Sequence, residues 1–422
     1  MSKYTLSRLS NGLTVATVTL PHMSSVSVGL WVGVGGRYEP APLSGVSHFI
    51  EHMLFKGTQK RTAAQISQSV EGLGGYLNAF TSEELTCFYS KARHDKFDEL
   101  LEVLVDMFLG SRFDRVEIDK ERNVIKEELA MYLDQPQQLV HELLNESMWP
   151  NQPLGRSLTG TPKTLDALRR DELLGYKNKN YVTDSIVLAV AGNIDHQKVV
   201  KAISRYAKKF PQAAKPSFAP AVVEQSAPIV RLHTKQTEQT QIALGIRACS
   251  RHDKRRFAFR ILNTIVGENM SSRLFQVIRE DNGLAYNISS HATCFEDVGS
   301  LTISAGMETD RLEKTLKLTT RELIRLAEKT VTPSELRRAR DYVIGTLDLS
   351  MENTENQMMW LGEQYLGYGK VESPQRLKSD LARVTASEVR AVAKDFFRPE
   401  RLTLALVSPL KRSSHLRRLL LN

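Results

Sequence analysis

Two histidines and a glutamate in the segment His48-Phe-Ile-Glu51-His52 have the types and spacing of a metal centre. In a helix His48 and His52 project from one face, so both imidazoles can reach one tetrahedral Zn²⁺ at about 2.0–2.1 Å. Glu51 lies beside them, where its carboxylate can accept a proton from water that the metal activates. The alternative is a hydrogen-bonded trio in a packed core. Three such groups together favour the zinc centre.

A third protein ligand is needed if the fourth zinc position is left to water and substrate. The best candidates lie in the segment 121–128, where Glu121 and Glu128 share a helical stripe with Val124 and Ile125. Glu127 points about 100° away and is expected to face solvent. Carboxylates on an inward stripe need compensation, which a cation supplies. A helix edge with exposed acids is the alternative.

A helix from Ser44 to Gly57 is predicted to carry the two histidines, with Ser44 as its N-cap and Gly57 as its terminator. An apolar stripe with helical spacing runs alongside them and consists of Val46, Phe49, Ile50, Met53 and Leu54. Few positions of this helix are therefore left to face solvent. Because buried polar groups must be paired, the pattern indicates a partner for the imidazoles and the carboxylate.

The segment 211–228 contains four prolines and many small residues, which is typical of a linker. On both sides of it the same order appears: alternating strand patterns, a helix closing on Gly57 or Gly267, a hairpin and a long helical region. This order predicts an α+β protein of two homologous units, each an antiparallel-rich sheet covered by helices. The predicted domains are a catalytic unit over 1–210, a Pro/Ala-rich linker over 211–228 and a second unit over 229–422.

Composition argues against several other classes of protein. No run of about 18 apolar residues occurs, so no membrane span is expected. The first residues lack the pattern of a signal or transit peptide, so a cytoplasmic location is expected. Cys87, Cys249 and Cys294 form no metal-binding pair and are expected to be free thiols. The formal charge of +9 falls on helical stretches without interleaved aromatic residues, so a nucleic-acid partner is not expected.

The pattern His48-x-x-Glu51-His52 is the inverted zinc motif of the inverzincins. The chain resembles the family of pitrilysin, insulin-degrading enzyme and the mitochondrial processing peptidases. The resemblance covers nearly the whole chain and is carried by the segments 45–58, 74–81, 121–128 and 279–286. Length and the two halves match the short branch, which includes bacterial-type processing proteases. The resemblance implies two units facing each other across a cavity, and a homodimer.

The resemblance also implies a role for each candidate residue. It makes His48, His52 and Glu128 the ligands of one Zn²⁺ per chain, Glu51 the general base and Glu121 a carboxylate that orients His52. Substrate would add as a strand along Asn78, Ala79 and Phe80, and Arg279 with Tyr286 would hydrogen-bond the reacting carbonyl. Without the family resemblance, the residues around Asn78 are also compatible with an ordinary hairpin strand. Arg279 would then be an ion-pair residue and Tyr286 a packing residue.

The second half departs from the metal pattern. Aligning the helices that close on Gly57 and Gly267 puts Ala258, Ile261 and Leu262 at the positions of the motif, and Leu347 falls where Glu128 stands. The second half is therefore expected to hold no zinc and to form the other wall of the cavity. The sequence thus predicts a zinc metalloendopeptidase acting on short or unfolded peptides. The alternative is a non-catalytic scaffold or assembly subunit of the same fold.

Overall fold

The structure is a computed structural model that describes residues 4–421. Its strands are β1 (Tyr4–Arg8), β2 (Thr14–Thr19), β3 (Ser25–Val32), β4 (Tyr76–Thr81), β5 (Thr86–Arg93), β6 (Ile186–Gly192), β7 (Ile229–Thr234), β8 (Thr240–Ala248), β9 (Asn287–Cys294), β10 (Gly299–Met307) and β11 (Leu402–Ser408). Its α-helices are α1 (Val46–Leu54), α2 (Ala63–Glu71), α3 (Phe97–Gly110), α4 (Arg115–Asp134), α5 (Pro136–Met148), α6 (Pro162–Ala167), α7 (Arg170–Asn180), α8 (His196–Ser204), α9 (Arg256–Asn263), α10 (Leu312–Glu328), α11 (Pro333–Ser350), α12 (Thr354–Tyr368), α13 (Pro374–Arg383), α14 (Ala386–Phe396) and α15 (Leu416–Leu419). Short π-helical segments follow α9 at Thr264–Glu268 and lie at Phe275–Glu280.

The two sheets have the same topology in their shared strands. The first sheet has the order β1-β2-β6-β3-β5-β4, and the second has the order β7-β11-β8-β10-β9. Without β1, each order places the first and last strands of its half side by side and in parallel, and every other pair is antiparallel. The strands β4 and β9 are the equivalent edges. The predicted α+β class with two related, antiparallel-rich sheets is confirmed.

The chain forms two compact units. The first unit contains the residues up to Leu129, then 156–219 and 349–373. The second unit contains 130–155, 220–348 and the residues from 374 onward. The segment 211–228 contains neither helix nor strand. The predicted domain bounds at 210 and 229 follow chain order, whereas each compact unit also contains a segment from the other half of the sequence.

A helix from the other half of the sequence covers one face of each sheet. In the first unit α12 packs on β6, β3 and β2, where Trp31 donates a hydrogen bond to the Met358 sulfur at 3.2 Å. A Cβ at Gly362 would lie 2.2 Å from the Trp31 ring, so glycine permits this close approach. In the second unit α5 packs on β11, β8 and β7. Because each sheet is apolar on both faces, each needs a covering helix on this side as well.

The predicted helices match the observed ones closely where an apolar periodicity was present. The long helical region predicted in each half consists of α3 and α4 in the first half and of α10 and α11 in the second. The prediction that Ser44 is the N-cap of the first helix is wrong. The N-cap of α1 is Gly45, in the left-handed region at φ 92°, and it makes no side-chain capping bond. Among the described residues, no helix is both long enough and apolar enough to cross a membrane.

Lys177 on α7 is a buried cation, and burial lowers its pKa to about 8. Its ammonium lies 5.3 Å from the centre of the Phe108 ring. The unfolded chain, with a lysine pKa of about 10.4, binds more protons between about pH 8 and 10.5, so stability should rise with pH in that window. We expect Lys177→Met to raise the free energy of unfolding at pH 7 by up to about 3 kcal/mol and to remove that rise.

Urea unfolding of the wild type and the variant at several pH values measures this prediction. The exposed neighbour Lys179 provides a matched control, since Lys179→Met removes the same charge without relieving burial. Equal pH slopes for Lys177→Met and the wild type would show that Lys177 is solvated in the folded protein.

Candidate active site

Helix α1 is held at its first turn by a buried carboxylate. Glu39 accepts hydrogen bonds from the backbone N–H of Gly45 at 2.7 Å and of Ser47 at 2.8 Å. These bonds satisfy donors that a helix start leaves unpaired. A Cβ at Gly45 would meet the Thr159 carbonyl oxygen at 2.8 Å, so position 45 requires glycine for space as well as for its φ. No local pattern in the sequence indicates this role for Glu39, because it lies six residues before the helix N-cap.

Helix α4 runs past α1 and presents two carboxylates to it. Arg122 anchors α4 by donating to the carbonyl oxygens of Leu165 at 2.9 Å and Leu168 at 2.7 Å. Glu121 is buried and Glu128 half-buried. Glu127 is exposed, as its position on the helix predicts. Glu121 and Glu128 thus lie on the side of the histidines, and Ile125 is buried, but Val124, which was predicted to share their stripe, is exposed because it points away from α1.

His48, His52 and Glu128 converge on one point. Each offers one ligand atom, and the three atoms lie within 4.8 Å of one another. Oε2 of Glu128 is 3.8 Å from Nε2 of His48 and 3.7 Å from Nε2 of His52. Both distances are too long for a hydrogen bond. The three groups therefore surround a shared space rather than bonding directly to each other across it.

This arrangement fits a zinc ion. Zinc bonds of about 2.0–2.2 Å in a tetrahedron put neighbouring ligand atoms roughly 3.3 Å apart. The Glu128 oxygen lies 3.8 Å and 3.7 Å from the two imidazole nitrogens, so small side-chain rotations would bring the three atoms to that spacing. Two imidazole nitrogens and a carboxylate oxygen are a donor set that zinc takes at catalytic sites. Within residues 4–421, no other group of three His, Cys, Asp or Glu side chains comes this close together. The structure thus assembles His48, His52 and Glu128 as a candidate ligand set.

His48 is suited to the neutral form that binds metal. Burial first, and then the nearby His52, lower the pKa of His48 to about 4, against the opposing effect of Glu128. Its ring therefore stays unprotonated at neutral pH. The two imidazole rings stand edge to face, with their centres 4.6 Å apart.

Glu121 contacts the outer side of His52. Its Oε2 lies 3.1 Å from Nδ1 of His52, and its Oε1 lies 2.8 Å from the Lys56 ammonium. Burial raises the pKa of Glu121, but the hydrogen bonds from His52 and Lys56 outweigh burial and leave the pKa below its ordinary value. A carboxylate can only accept, so Nδ1 of His52 carries the hydrogen and Nε2 keeps its lone pair towards Glu128. Sequence reasoning missed Lys56, although its i+4 spacing from His52 was a usable signal.

Glu51 lies next to the ligands and is held by a residue of β4. The Thr81 hydroxyl donates to Oε2 of Glu51 at 2.5 Å. Burial raises the pKa of Glu51 above its ordinary value, although Thr81 and His52 oppose this. A carboxyl group with a raised pKa is suited to taking up and giving back a proton near neutral pH. Thr81 was not singled out from sequence because its contact with Glu51 depends on the sheet placing β4 beside α1.

The predicted substrate strand is β4, which pairs with β5 and, among the described residues, with no strand on its other side. Asn78 is exposed and Ala79 half-buried. Phe80 instead packs its ring at 5.7 Å from Trp31 and 6.3 Å from Tyr89, measured between ring centres. The edge position suits backbone pairing with an extended peptide, and Phe80 contributes mainly to packing beneath the edge.

Arg279 and Tyr286 lie together in the second unit. The Arg279 guanidinium stands 4.8 Å from the centre of the Tyr286 ring and 4.8 Å from that of Phe275. Its Nε is also 3.4 Å from a carboxylate oxygen of Glu280. Tyr286 is 80% exposed. The structure brings the predicted pair into mutual contact on the surface of its unit.

The helix of the second half that corresponds to α1 is α9. Its side chains at the aligned positions, Ala258, Ile261 and Leu262, are buried in the apolar core of the second unit. No polar group replaces the motif at these three positions.

Two family models match the chain in succession. Residues 14–162 match the insulinase model of peptidase family M16, and residues 167–343 match a model described as the peptidase M16 inactive domain. An uncharacterized zinc protease of Streptomyces coelicolor is 37% identical over 409 residues, which cover 96% of this chain and 89% of the relative. An uncharacterized zinc protease of Bacillus subtilis is 36% identical over 399 residues, covering 94% and 97%.

Solved structures with low sequence identity share the fold. A protease from Helicobacter pylori has a TM-score of 0.90 at 20% identity, covering 97% of this chain and all of that one. A chain of complex III from Candida albicans has a TM-score of 0.85 at 20% identity, covering the full length of both. At this identity, these likenesses show the fold alone. The two family models and the relatives named as zinc proteases lead to one conclusion: the chain belongs to the insulinase family of peptidases, family M16.

Proposed function

We propose that this chain is a zinc-dependent endopeptidase that hydrolyses peptide bonds in short or unfolded peptides. The observation that carries the proposal is the convergence of His48, His52 and Glu128 on one point, with Glu51 beside them. In this proposal the three converging side chains hold one zinc ion per chain. The names of the relatives support the same activity.

Zinc, when bound, would polarise the scissile carbonyl and lower the pKa of water beside it. Glu51 takes a proton from the attacking water as the water oxygen bonds to the carbonyl carbon. The same carboxyl group then passes the proton to the leaving nitrogen as the C–N bond breaks. Its raised pKa supports both transfers, and the hydrogen bond from Thr81 fixes the direction in which its oxygens point.

Substrate binding is proposed along the free edge of β4, around Asn78 and Ala79. Main-chain pairing on a sheet edge is insensitive to side-chain identity, which favours loose sequence preference. Thr81 ends β4 and bonds Glu51, so a peptide paired with this strand is led towards the general base. Arg279 and Tyr286 are proposed to hydrogen-bond the carbonyl as negative charge develops on its oxygen. The exposure of Tyr286 supports a role in contacting a partner molecule.

A homodimer with two active sites is the proposed assembly, because one chain contains both the ligand set and the Arg279–Tyr286 pair. Light scattering of the purified protein tests it: a particle of two chains supports the dimer, and a single chain at all concentrations contradicts it.

Metal analysis combined with a cleavage survey on a library of unstructured peptides tests the proposed function. We expect about one zinc per chain and cleavage at many sequences, and His52→Ala should lose both. Stoichiometric zinc without cleavage of any peptide would instead support the alternative of a non-catalytic scaffold. Cleavage that persists after complete zinc removal would contradict the mechanism.

A further inference from the structure

Lys56 forms the outer end of a chain of contacts that leads to the candidate metal centre. Its ammonium lies 2.8 Å from Oε1 of Glu121, whose other oxygen lies 3.1 Å from Nδ1 of His52. We propose that Lys56 is a positioning residue: it fixes the Glu121 carboxylate, which in turn fixes the ring of His52. This inference rests on the proposed function, in which His52 is a zinc ligand.

Backbone hydrogen bonds hold the chain on both sides of Lys56. Lys56 follows the last turn of α1, four residues after His52, and its N–H donates to the Met53 carbonyl at 3.1 Å. Gly57 then turns the chain at φ 107°, and its carbonyl oxygen accepts from the N–H of Arg112 at 3.1 Å. Lys56 therefore approaches Glu121 from the same helix face as His52, and from a backbone that is itself anchored.

Burial distinguishes this contact from an ordinary surface ion pair. The Glu121 side chain is only 5% exposed, and that of Lys56 is 31% exposed. In the nearby ion pair of Lys60 and Glu102, the side chains are 60% and 28% exposed, as in an ordinary surface ion pair. Exposed pairs are worth little because water competes for both partners. A buried carboxylate, in contrast, depends on the partners that the protein supplies.

The two carboxylate oxygens of Glu121 contact different partners. One accepts from His52 and the other contacts Lys56, so the plane of the carboxylate is defined from both ends. If the ammonium is removed, the carboxylate can rotate towards other donors, and the bond that orients the His52 ring weakens. Substituting a residue that orients a metal ligand typically lowers metal affinity about 10–100-fold. Lys56 is one step further out, so a smaller effect is expected.

The test is the zinc affinity of Lys56→Met, measured on the full chain by competition with a chromophoric chelator. We expect the dissociation constant of zinc to rise roughly threefold to tenfold. Lys56→Arg should restore most of the affinity, because a guanidinium can still reach the carboxylate. Lys60→Met is the matched control and should bind zinc as the wild type does. Thermal unfolding of the metal-free forms checks that each variant folds.

A double-mutant cycle shows whether Lys56 acts through Glu121. In the Glu121→Gln background, Lys56→Met should change zinc affinity by less than about twofold. Equal affinity of Lys56→Met and wild type overturns the inference, as does a full effect that persists without the Glu121 carboxylate. Failure of the wild type to bind zinc would overturn the proposed function instead, so the two failures are distinguishable.

Discussion

Glu51→Gln should lower kcat/KM for any peptide substrate by about 10² or more and leave zinc content at the wild-type level. The amide keeps the size of the side chain and can still contact the Thr81 hydroxyl, but it cannot accept a proton from water. Glu51 is not one of the three converging groups, so zinc should remain in place. Peptide turnover and metal analysis on the same preparation measure the two quantities together.

The matched control for this variant is Glu71→Gln, which removes a carboxylate from the exposed end of α2. It should behave as the wild type in both measurements. Near-native turnover by Glu51→Gln would show that another group takes the proton. Loss of zinc from this variant would show that Glu51 is a ligand, and the assignment of Glu128 would then need revision.

The candidate site was predictable to the extent that it is encoded by spacing along single helices. The i, i+4 histidines of α1 and the i, i+7 glutamates of α4 are local patterns, and the structure brings both sets together. Their meeting in space was not readable from periodicity and was implied by the family resemblance. Lys56 lay within reach of the same local argument, because it continues the spacing of His48 and His52.

Contacts that depend on tertiary structure were not predictable. Glu39 caps α1 through a loop, and Thr81 reaches Glu51 because β4 lies beside α1. Ser44 was a reasonable N-cap by residue type, but Gly45 occupies that position and a carboxylate from outside the helix accepts the hydrogen bonds of the first turn. Local capping rules cannot anticipate a partner that the fold brings in from elsewhere.

The exchange of helices between the two halves was also hidden from the sequence. Apolar faces on α5 and α12 predict burial, but they do not specify which sheet each helix covers. The repeated order of elements along the chain was readable in each half, but the placement of β6 between β2 and β3, and of β11 between β7 and β8, was not. Assigning a helix to a sheet instead requires the path that the long connections between elements follow. Composition does not contain that path.

Glu128→Gln should weaken zinc binding by at least about 100-fold. Even the substitution of a residue that only orients a metal ligand typically lowers metal affinity about 10–100-fold. The oxygen of Glu128 lies 3.8 Å and 3.7 Å from the two imidazole nitrogens, and it supplies the only negative charge among the three converging groups. A neutral amide is a poorer ligand for a divalent cation. Activity at limiting zinc should fall in parallel and recover in part when zinc is added in excess.

The adjacent residue provides a strict control for this prediction. Glu127→Gln makes the same chemical change one position away on α4, where the side chain faces solvent. If net charge near the site were what retains zinc, the two variants would lose affinity to a similar degree. If the zinc is instead retained by the specific oxygen and nitrogen atoms that converge on it, only Glu128→Gln will lose zinc affinity. Equal zinc affinity in both variants would remove Glu128 from the ligand set and would point to a third ligand from elsewhere in the assembled protein.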